Sequence, residues 1–498
     1  MKRIKEWGWY ILFILVLAAV VAFFATLFII HLTIFLYVLV SVYFVSVISA
    51  IIIFLQKRHS SAKLAWLFTI IVLPLAGHIL YFTLGQKYPH RKDYIALKSQ
   101  FRQTVDFEIK KEIKDKNVYE TLNQLSWFNR NKLVESKVEP FIQPNDYFNS
   151  LLDSIENAKH NIWLISYLVE DGYLFQELAN KLIKKKKQGI QIKWLVDDYG
   201  RRNLKKHCWH ELKKNGIEIS FIGQLKFTFF LSSNLYRNHR KSIIIDNEIL
   251  YNGGSNISDN YISMGKDHGY FKDYNYRIEG EYVIEYAKLF ASMWKRWTDQ
   301  DLSLDSTITR LIPKKDIDSN ADLLMVSGGP EINDPILEES IIKLINRAQK
   351  NIKIATPYFS ITEPLKQAIK IALMSGIEVT LYFPSFSPQK IVASISNFEI
   401  EQLIGYGLIV KNTNDFFNHS KVGIFDNKIA YVGSMNFDIR SFYAQYENID
   451  ILHGTIVEQI SKYFEILEAQ SHSKTSNFSP KYLNLPKRIL YNMFKPLV

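Results

Sequence analysis

Two histidine–lysine pairs stand at matched places in this 498-residue chain. His239-x-Lys241 is followed by Asp246, Gly253, Gly254 and Asn256; His419-x-Lys421 is followed by Asp426, Gly433, Ser434 and Asn436. Every position of the second block lies 180 residues after its partner in the first. An imidazole beside an ammonium repels a metal cation and suits an anion, with Lys holding oxygens and His acting as nucleophile or general acid. The anion that best fits this chemistry is a phosphate diester. One H-x-K alone would be commonplace, but two co-linear copies read as one duplicated active-site half.

Each block reads as strand, tight turn, strand. Ser242 to Ile245 leads into Asp246-Asn247, and Val422 to Phe425 into Asp426-Asn427, with Asx residues favouring the reversal. Side chains alternate along a strand, so His239 and Lys241 point the same way, as do His419 and Lys421. Asp246 and Asp426 fall at odd spacing, which makes them turn and orientation elements first and chemical participants second. The small residues Gly254 and Ser434 are turn formers that also let backbone approach a ligand, so both are substrate-site candidates.

With these blocks the chain resembles the phospholipase D superfamily, whose mark is a duplicated H-x-K-x4-D followed by G-[GS]-x-N. Within it the chain is most similar to the bacterial cardiolipin synthase branch. The matching stretches are Tyr236 to Lys241, Gly253 to Tyr261, Lys272-Asp273, Arg277 to Gly280, Gly433 to Phe442, and Glu447. Departures occur at Asn418, Ser420, Gln389 and Arg201, none within the His/Lys/Asn set. The resemblance implies that His239, Lys241, Asp246, His419, Lys421 and Asp426 form the catalytic set. His239 is then the nucleophile and His419 the acid and base, with Lys241, Lys421, Asn256 and Asn436 holding phosphoryl oxygens. Asp273 and Glu447, beyond the two blocks, are candidates for orienting the imidazoles, including crosswise between halves. No metal and no cofactor is expected.

The flanking elements repeat as the blocks do. In 137–312, a helix over Tyr147 to Ala158, a strand over Ile162 to Ile165, a helix over Phe175 to Lys186 and a strand over Ile190 to Val196 precede the first block. In 313–475 the order returns: helix Glu338 to Ala348, strand Ile352 to Ala355, helix Glu363 to Leu373, strand Ile377 to Leu381. Such alternation gives an α/β fold with a mostly parallel sheet. The resemblance implies two phospholipase D-like domains with mixed sheets flanked by helices, related by a pseudo-twofold axis that sets the blocks face to face. Residues 89–136 read as a charged connector and 476–498 as a basic amphipathic tail.

The N-terminal 88 residues read as a membrane anchor. Residues 9–30 and 34–55 are almost wholly apolar, each long enough to span a bilayer, and only His31-Leu32-Thr33 separates them. The third apolar stretch, 64–84, reads as a re-entrant or interfacial segment broken at Pro74 and Gly77. Lys2, Arg3 and Lys5 before the first span, and Lys57, Arg58 and Lys63 after the second, place both flanks in the cytoplasm. The expected location is therefore the bacterial cell membrane, multi-pass, with the catalytic part cytoplasmic. Cys208, the single cysteine, excludes an internal disulfide.

A net charge of +12 would attract anionic lipid heads and nucleic acid alike. The hairpin favours lipid, since it adds nothing to cutting DNA, so phosphatidylglycerol and other anionic phospholipids are the expected partners and nucleic acid is not. The reaction expected from the resemblance is phosphatidyl transfer between two phosphatidylglycerol molecules, giving cardiolipin and glycerol through a phosphohistidine. A membrane phospholipase D, a transferase using another alcohol, and an inactive lipid-binding scaffold are the alternatives. Phe227, Phe229, Phe230 and Leu231, shortly before His239, read either as core or as a lip that dips into the membrane.

Overall fold

The computed structural model describes residues 15–56, 60–85, 107–225, 232–302, 317–330 and 334–473, with short breaks at 16–17, 20, 27, 110, 263 and 266–269. The aromatic lip at 227–231, the tail 476–498 and much of the first apolar span lie outside the described residues. The chain divides into two compact units, Met1–Tyr88 with Lys226–Leu235, and Pro89–Leu225 with Tyr236–Val498.

In the first unit, Leu32–Leu55 is a 24-residue helix without a charged side chain. At 1.5 Å per residue it is about 36 Å long, enough to cross a hydrocarbon core of about 30 Å. The next apolar stretch forms two helices, Ser60–Val72 and Pro74–Leu80, neither long enough to cross alone. The break falls at Leu73-Pro74, where proline brings no N–H to continue the ladder. Gly77, expected as a second break, lies inside the second helix and serves contact instead. A Cβ there would stand 2.5 Å from the Thr69 carbonyl oxygen, so only glycine lets the two helices meet so closely. Both return to the long helix, Ile70 of the first clustering with Ile53 and His78 Nε2 of the second lying 3.0 Å from Ser49 Oγ.

The second unit is built on one sheet that runs through both repeats. Its order in the first half is Glu218–Ile222, Gln191–Asp197, Asn161–Ser166, Ser242–Ile245, Ile249–Gly253, Asn275–Gly280, Val134–Phe141. The second half mirrors it outward from the centre: Ala321–Gly328, Gln445–His453, Ile429–Gly433, Val422–Phe425, Asn351–Ala355, Glu378–Pro384, Ile409–Thr413. The halves join where Val134 pairs with Leu323 and Ser136 with Ala321, antiparallel. Only the three outermost of these strands in each half run parallel to one another; the other pairings are antiparallel. The sheet is thus mixed, and the mostly parallel sheet expected from helix–strand alternation is corrected. The H-x-K blocks form the hairpins that their strand, turn, strand pattern implied, and these bring antiparallel pairs into the sheet.

Helices Pro144–Asn157 and Tyr173–Lys187 cover the first half, and Ile336–Arg347 and Glu363–Met374 the second. A central apolar cluster draws on both repeats, joining Tyr282, Phe290 and Trp163 to Leu452, Tyr463 and Phe464. This shared core makes the two repeats one body. The segment expected as a connector contributes a helix, Lys116–Asn129, whose Val118, Leu122 and Leu125 are buried with Leu337, Ile341 and Leu344 of the second repeat.

Candidate active site

Each histidine is carried on a short strand that crosses to the other repeat. Arg237–Asn238 pairs in parallel with Gln445 and Tyr446, and Phe417–Asn418 with Phe271 and Lys272. His239 N–H donates to the Tyr446 carbonyl at 2.9 Å, and His419 N–H to that of Lys272 at 2.8 Å. The next residue on each receiving strand is a carboxylate. His239 Nδ1 accordingly lies 2.7 Å from Glu447 Oε1, and His419 Nδ1 lies 2.6 Å from Asp273 Oδ2. The backbone pairing, not side-chain reach, sets the crosswise arrangement.

Both carboxylates are fully buried and held. Glu447 accepts from Ser434 Oγ at 2.5 Å and Ser441 Oγ at 3.1 Å. Asp273 accepts from the Tyr274 N–H at 2.8 Å and fills the space beside Gly254, where a Cβ would stand 2.4 Å from its oxygen. Gly254 and Ser434, expected as substrate-binding positions, abut the two orienting carboxylates. Smallness at 254 makes room for Asp273; the hydroxyl at 434 holds Glu447.

Lys241 and Lys421 are buried beside the imidazoles, each Nζ donating to the carbonyl of its own histidine. Lys421 Nζ also stands 3.6 Å from Asp273. Burial, and then the two ammonium groups, hold His239 well below its ordinary pKa. Burial and Lys421 push His419 down to about 3 against the pull of Asp273. These shifts favour the neutral ring at both positions, and the tautomer that turns Nδ1–H to the carboxylate leaves a lone pair on Nε2, which at His419 lies 3.3 Å from Lys421 Nζ. Burial lowers Lys241 to about 7 and Lys421 to about 8, and raises Glu447 to about 7. A phosphate diester arriving here would favour the protonated forms of all four basic groups.

Asn436 is buried and Asn256 partly so, and each has a buried carboxamide oxygen with no partner among the described residues. The same amide turned over offers N–H to an anion, and oxygen and nitrogen are exchanged by that rotation. Asn256 Nδ2 lies 3.1 Å from Tyr261 OH.

Asp246 and Asp426 lie elsewhere. Asp246 Oδ atoms accept from the N–H groups of Lys159, His160 and Asn161 at 2.7 to 3.0 Å, and Asp426 takes those of Gln349, Lys350 and Asn351 over the same range. Asp246, Asn247, Asp426 and Asn427 all have φ of 53 or 54°, the paired left-handed conformation of a tight hairpin turn that Asx residues tolerate. Their place in the catalytic set is corrected: they close the turn and bind it to the start of the neighbouring strand, at the end of the hairpin away from the histidines.

Four rings near the histidines, Tyr167, Tyr261, Phe271 and Phe417, had no role assigned from sequence. Tyr167 meets His239 edge-on at 4.8 Å, with Lys241 Nζ 5.4 Å from its ring centre. Phe417 lies 5.9 Å from His419, and Tyr261 OH lies 3.2 Å from His419 Nδ1. Tyr261 was findable, because the 180-residue shift matches it to Ser441, the residue that donates to Glu447. Nothing in the pattern marks Tyr167. The departures turn away from the imidazoles: Ser420 meets the Tyr463 hydroxyl, Asn418 donates to the Tyr382 carbonyl at 3.4 Å, and Arg201 pairs with Asp198.

Two buried His/Lys sets, each imidazole oriented by a carboxylate of the opposite repeat and both on one duplicated mixed sheet, define a phospholipase D-like protein built for phosphodiester chemistry. A family model described as "Cardiolipin synthase, PLD-like domain" matches residues 151–294 and 341–467, and one described as "Phospholipase D-nuclease N-terminal" matches 42–86. The chain belongs to the cardiolipin synthase family of phospholipase D-like enzymes. It is similar to a cardiolipin synthase of Halalkalibacterium halodurans, 30% identical over 423 residues covering 81% of this chain and 82% of the relative. A cardiolipin synthase of Listeria welshimeri is 30% identical over 466 residues, covering 90% of this chain and 95% of that protein. Among solved structures, a phosphatidylserine synthase from Haemophilus influenzae shares the fold, with a TM-score of 0.58, 15% identity, and coverage of 76% of this chain and 100% of that one.

Proposed function

We propose that the chain joins two phosphatidylglycerol molecules into cardiolipin, releasing glycerol, through a phosphatidyl-histidine intermediate. His239 Nε2 attacks the phosphorus of the first lipid while its Nδ1–H stays on Glu447. As the bond from phosphorus to the headgroup oxygen breaks, His419 Nε2–H gives its proton to the departing glycerol. His419 then takes the proton of a primary hydroxyl on the second phosphatidylglycerol, whose oxygen attacks phosphorus and frees His239. Lys241, Lys421, Asn256 and Asn436 hold the non-bridging oxygens as charge builds in the transition state.

The observation that carries this reading is the crosswise pairing of each histidine with the other repeat's carboxylate. It leaves two Nε2 atoms at one site with no covalent link between their roles, as a two-step transfer requires. His419 must be charged to act as an acid, and the bound diester anion supplies that shift. Purified protein in detergent, given phosphatidylglycerol alone, should yield cardiolipin and glycerol in equal amounts. Phosphatidic acid as the sole lipid product would make water the acceptor and the protein a hydrolase.

The anchor is read as multi-pass with the catalytic unit on the cytoplasmic side, on the basis of the basic flanks at 2–5 and 57–63. Protease protection in sealed vesicles of known orientation tests that placement.

A further inference from the structure

Two aromatic side chains occupy equivalent positions in the repeats and neither is buried. Tyr199 lies two residues beyond the strand Gln191–Asp197, and Phe386 two residues beyond its counterpart Glu378–Pro384. Tyr199 is 52% exposed and Phe386 38%. Each stands on a ring that touches a catalytic histidine. Tyr199 stacks on Tyr167 at 6.2 Å with an interplanar angle of 10°, and Tyr167 meets His239. Phe386 lies 5.8 Å from Phe417, and Phe417 meets His419. The sequence between the matched strands and blocks has diverged, yet both repeats keep an exposed ring one layer above the imidazole.

The surroundings are apolar and basic together. Ile391, near Phe386, is 66% exposed, and Lys390 beside it is exposed as well. Beyond Tyr199 come the exposed Arg202 and Lys206. Isolated exposed apolar residues need no explanation, but matched aromatics with adjacent cations have the composition of a membrane interface. Rings of this kind sit at headgroup depth while Lys and Arg meet anionic phosphates.

We propose that Tyr199 and Phe386, with their flanking basic residues, form a two-sided rim that enters the headgroup layer of an anionic bilayer and admits its lipids to the histidines. The proposal rests on the lipid substrate argued above. The rim acts on access from the bilayer and takes no part in the transfer itself, so its removal should spare a substrate that arrives from water.

The test uses the full chain reconstituted in phosphatidylcholine vesicles, with long-chain phosphatidylglycerol in the same bilayer or dihexanoyl phosphatidylglycerol added from solution. In the double variant Tyr199→Ala/Phe386→Ala, cardiolipin formation from the bilayer lipid should fall about tenfold through a raised surface KM, as loss of two interfacial rings implies. Turnover of the dihexanoyl lipid should stay within about twofold of wild type, since its route does not pass through the interface. Tyr199→Trp/Phe386→Trp should restore the bilayer rate. An equal fall in both arms, or an unchanged bilayer rate, overturns the rim. Wild-type protein that forms no cardiolipin-type product in either arm overturns the transfer reaction, and the rim with it.

Discussion

Glu447 holds His239 from a distance of 208 residues in the chain, with 2.7 Å between carboxylate oxygen and Nδ1. Its counterpart Asp273 does the same for His419 in the opposite direction. Among the described residues neither repeat pairs its own histidine with its own carboxylate, so the candidate site is assembled only in the joined molecule.

Exchanging Glu447 for glutamine tests this arrangement with little change in volume. The amide still fills the site but offers an N–H that competes for the wrong imidazole tautomer. Replacing an orienting carboxylate in this way is expected to lower kcat by about 10² to 10⁴, with a much smaller effect on KM and no loss of thermal stability. Steady-state cardiolipin formation and a melting curve read both. Glu447→Gln turning over within tenfold of wild type would mean that His239 needs no oriented tautomer.

Much of this site was legible in the residues. The 180-residue repeat located both His/Lys pairs and both asparagines, because chemistry on an anion demands those types at fixed strand spacing. Asp273 and Glu447 were candidates too, but their crosswise partners depend on the two-residue strands at Arg237 and Phe417, too short to leave a pattern. Gly254 and Ser434 also stand against Asp273 and Glu447, a contact the pattern did not mark, since small residues make room equally for a ligand or for a buried carboxylate. Beyond the two block hairpins, the antiparallel pairings of the inner sheet were hidden, since a strand buried on both faces reads alike in either direction.

The lysines give the site a defined alkaline limit. Lys241 and Lys421 bind an anion only as ammonium groups, and burial brings them to about 7 and about 8. As pH rises through those values the charge is lost, first at Lys241, so kcat/KM, which reports the free enzyme, should begin to fall above about pH 7. Glu447, raised to about 7, loses its carboxylate form as pH falls below that value, which sets the acid limb. These groups titrate as a cluster, so the two limbs belong to the site as a whole. Bound diester favours the ammonium forms, and the alkaline limb of kcat should therefore lie higher than that of kcat/KM. Coincident alkaline limbs in the two profiles would remove the lysines from substrate binding.

Asp246→Ala and Asp426→Ala should separate stability from chemistry. Each removes one acceptor group serving three backbone N–H groups and leaves a left-handed turn residue with a Cβ less suited to it. A loss of about 1 to 3 kcal/mol follows from stranding such donors. The melting midpoint should drop by several degrees while kcat per folded molecule is retained. A fall in kcat at unchanged midpoint would return these residues to the reaction.

Asp450 ties the two repeats together three residues beyond Glu447 on the same strand. It is fully buried and accepts hydroxyls from Tyr276, Tyr282 and Tyr286 and an amide N–H from Asn252, all of the first repeat. Burial raises its pKa, with the four donors opposing. A folded-state pKa above the unfolded value means that the charged form is the less favoured one in the fold. Its protonated form therefore adds stability that is fully present below the unfolded value of 3.8 and is lost as pH rises through the folded pKa. Neutralising the group while keeping its shape should accordingly be mild, whereas deleting it strands three buried hydroxyls. Asp450→Ala is expected to destabilise by about 3 kcal/mol or more, and Asp450→Asn by clearly less. Because the strand also carries Glu447, the alanine variant should lose kcat even where it remains folded, and the asparagine variant should keep most of it. Equal destabilisation by the two substitutions would show that the charge, and not the filled hydrogen-bonding site, holds the repeats in register.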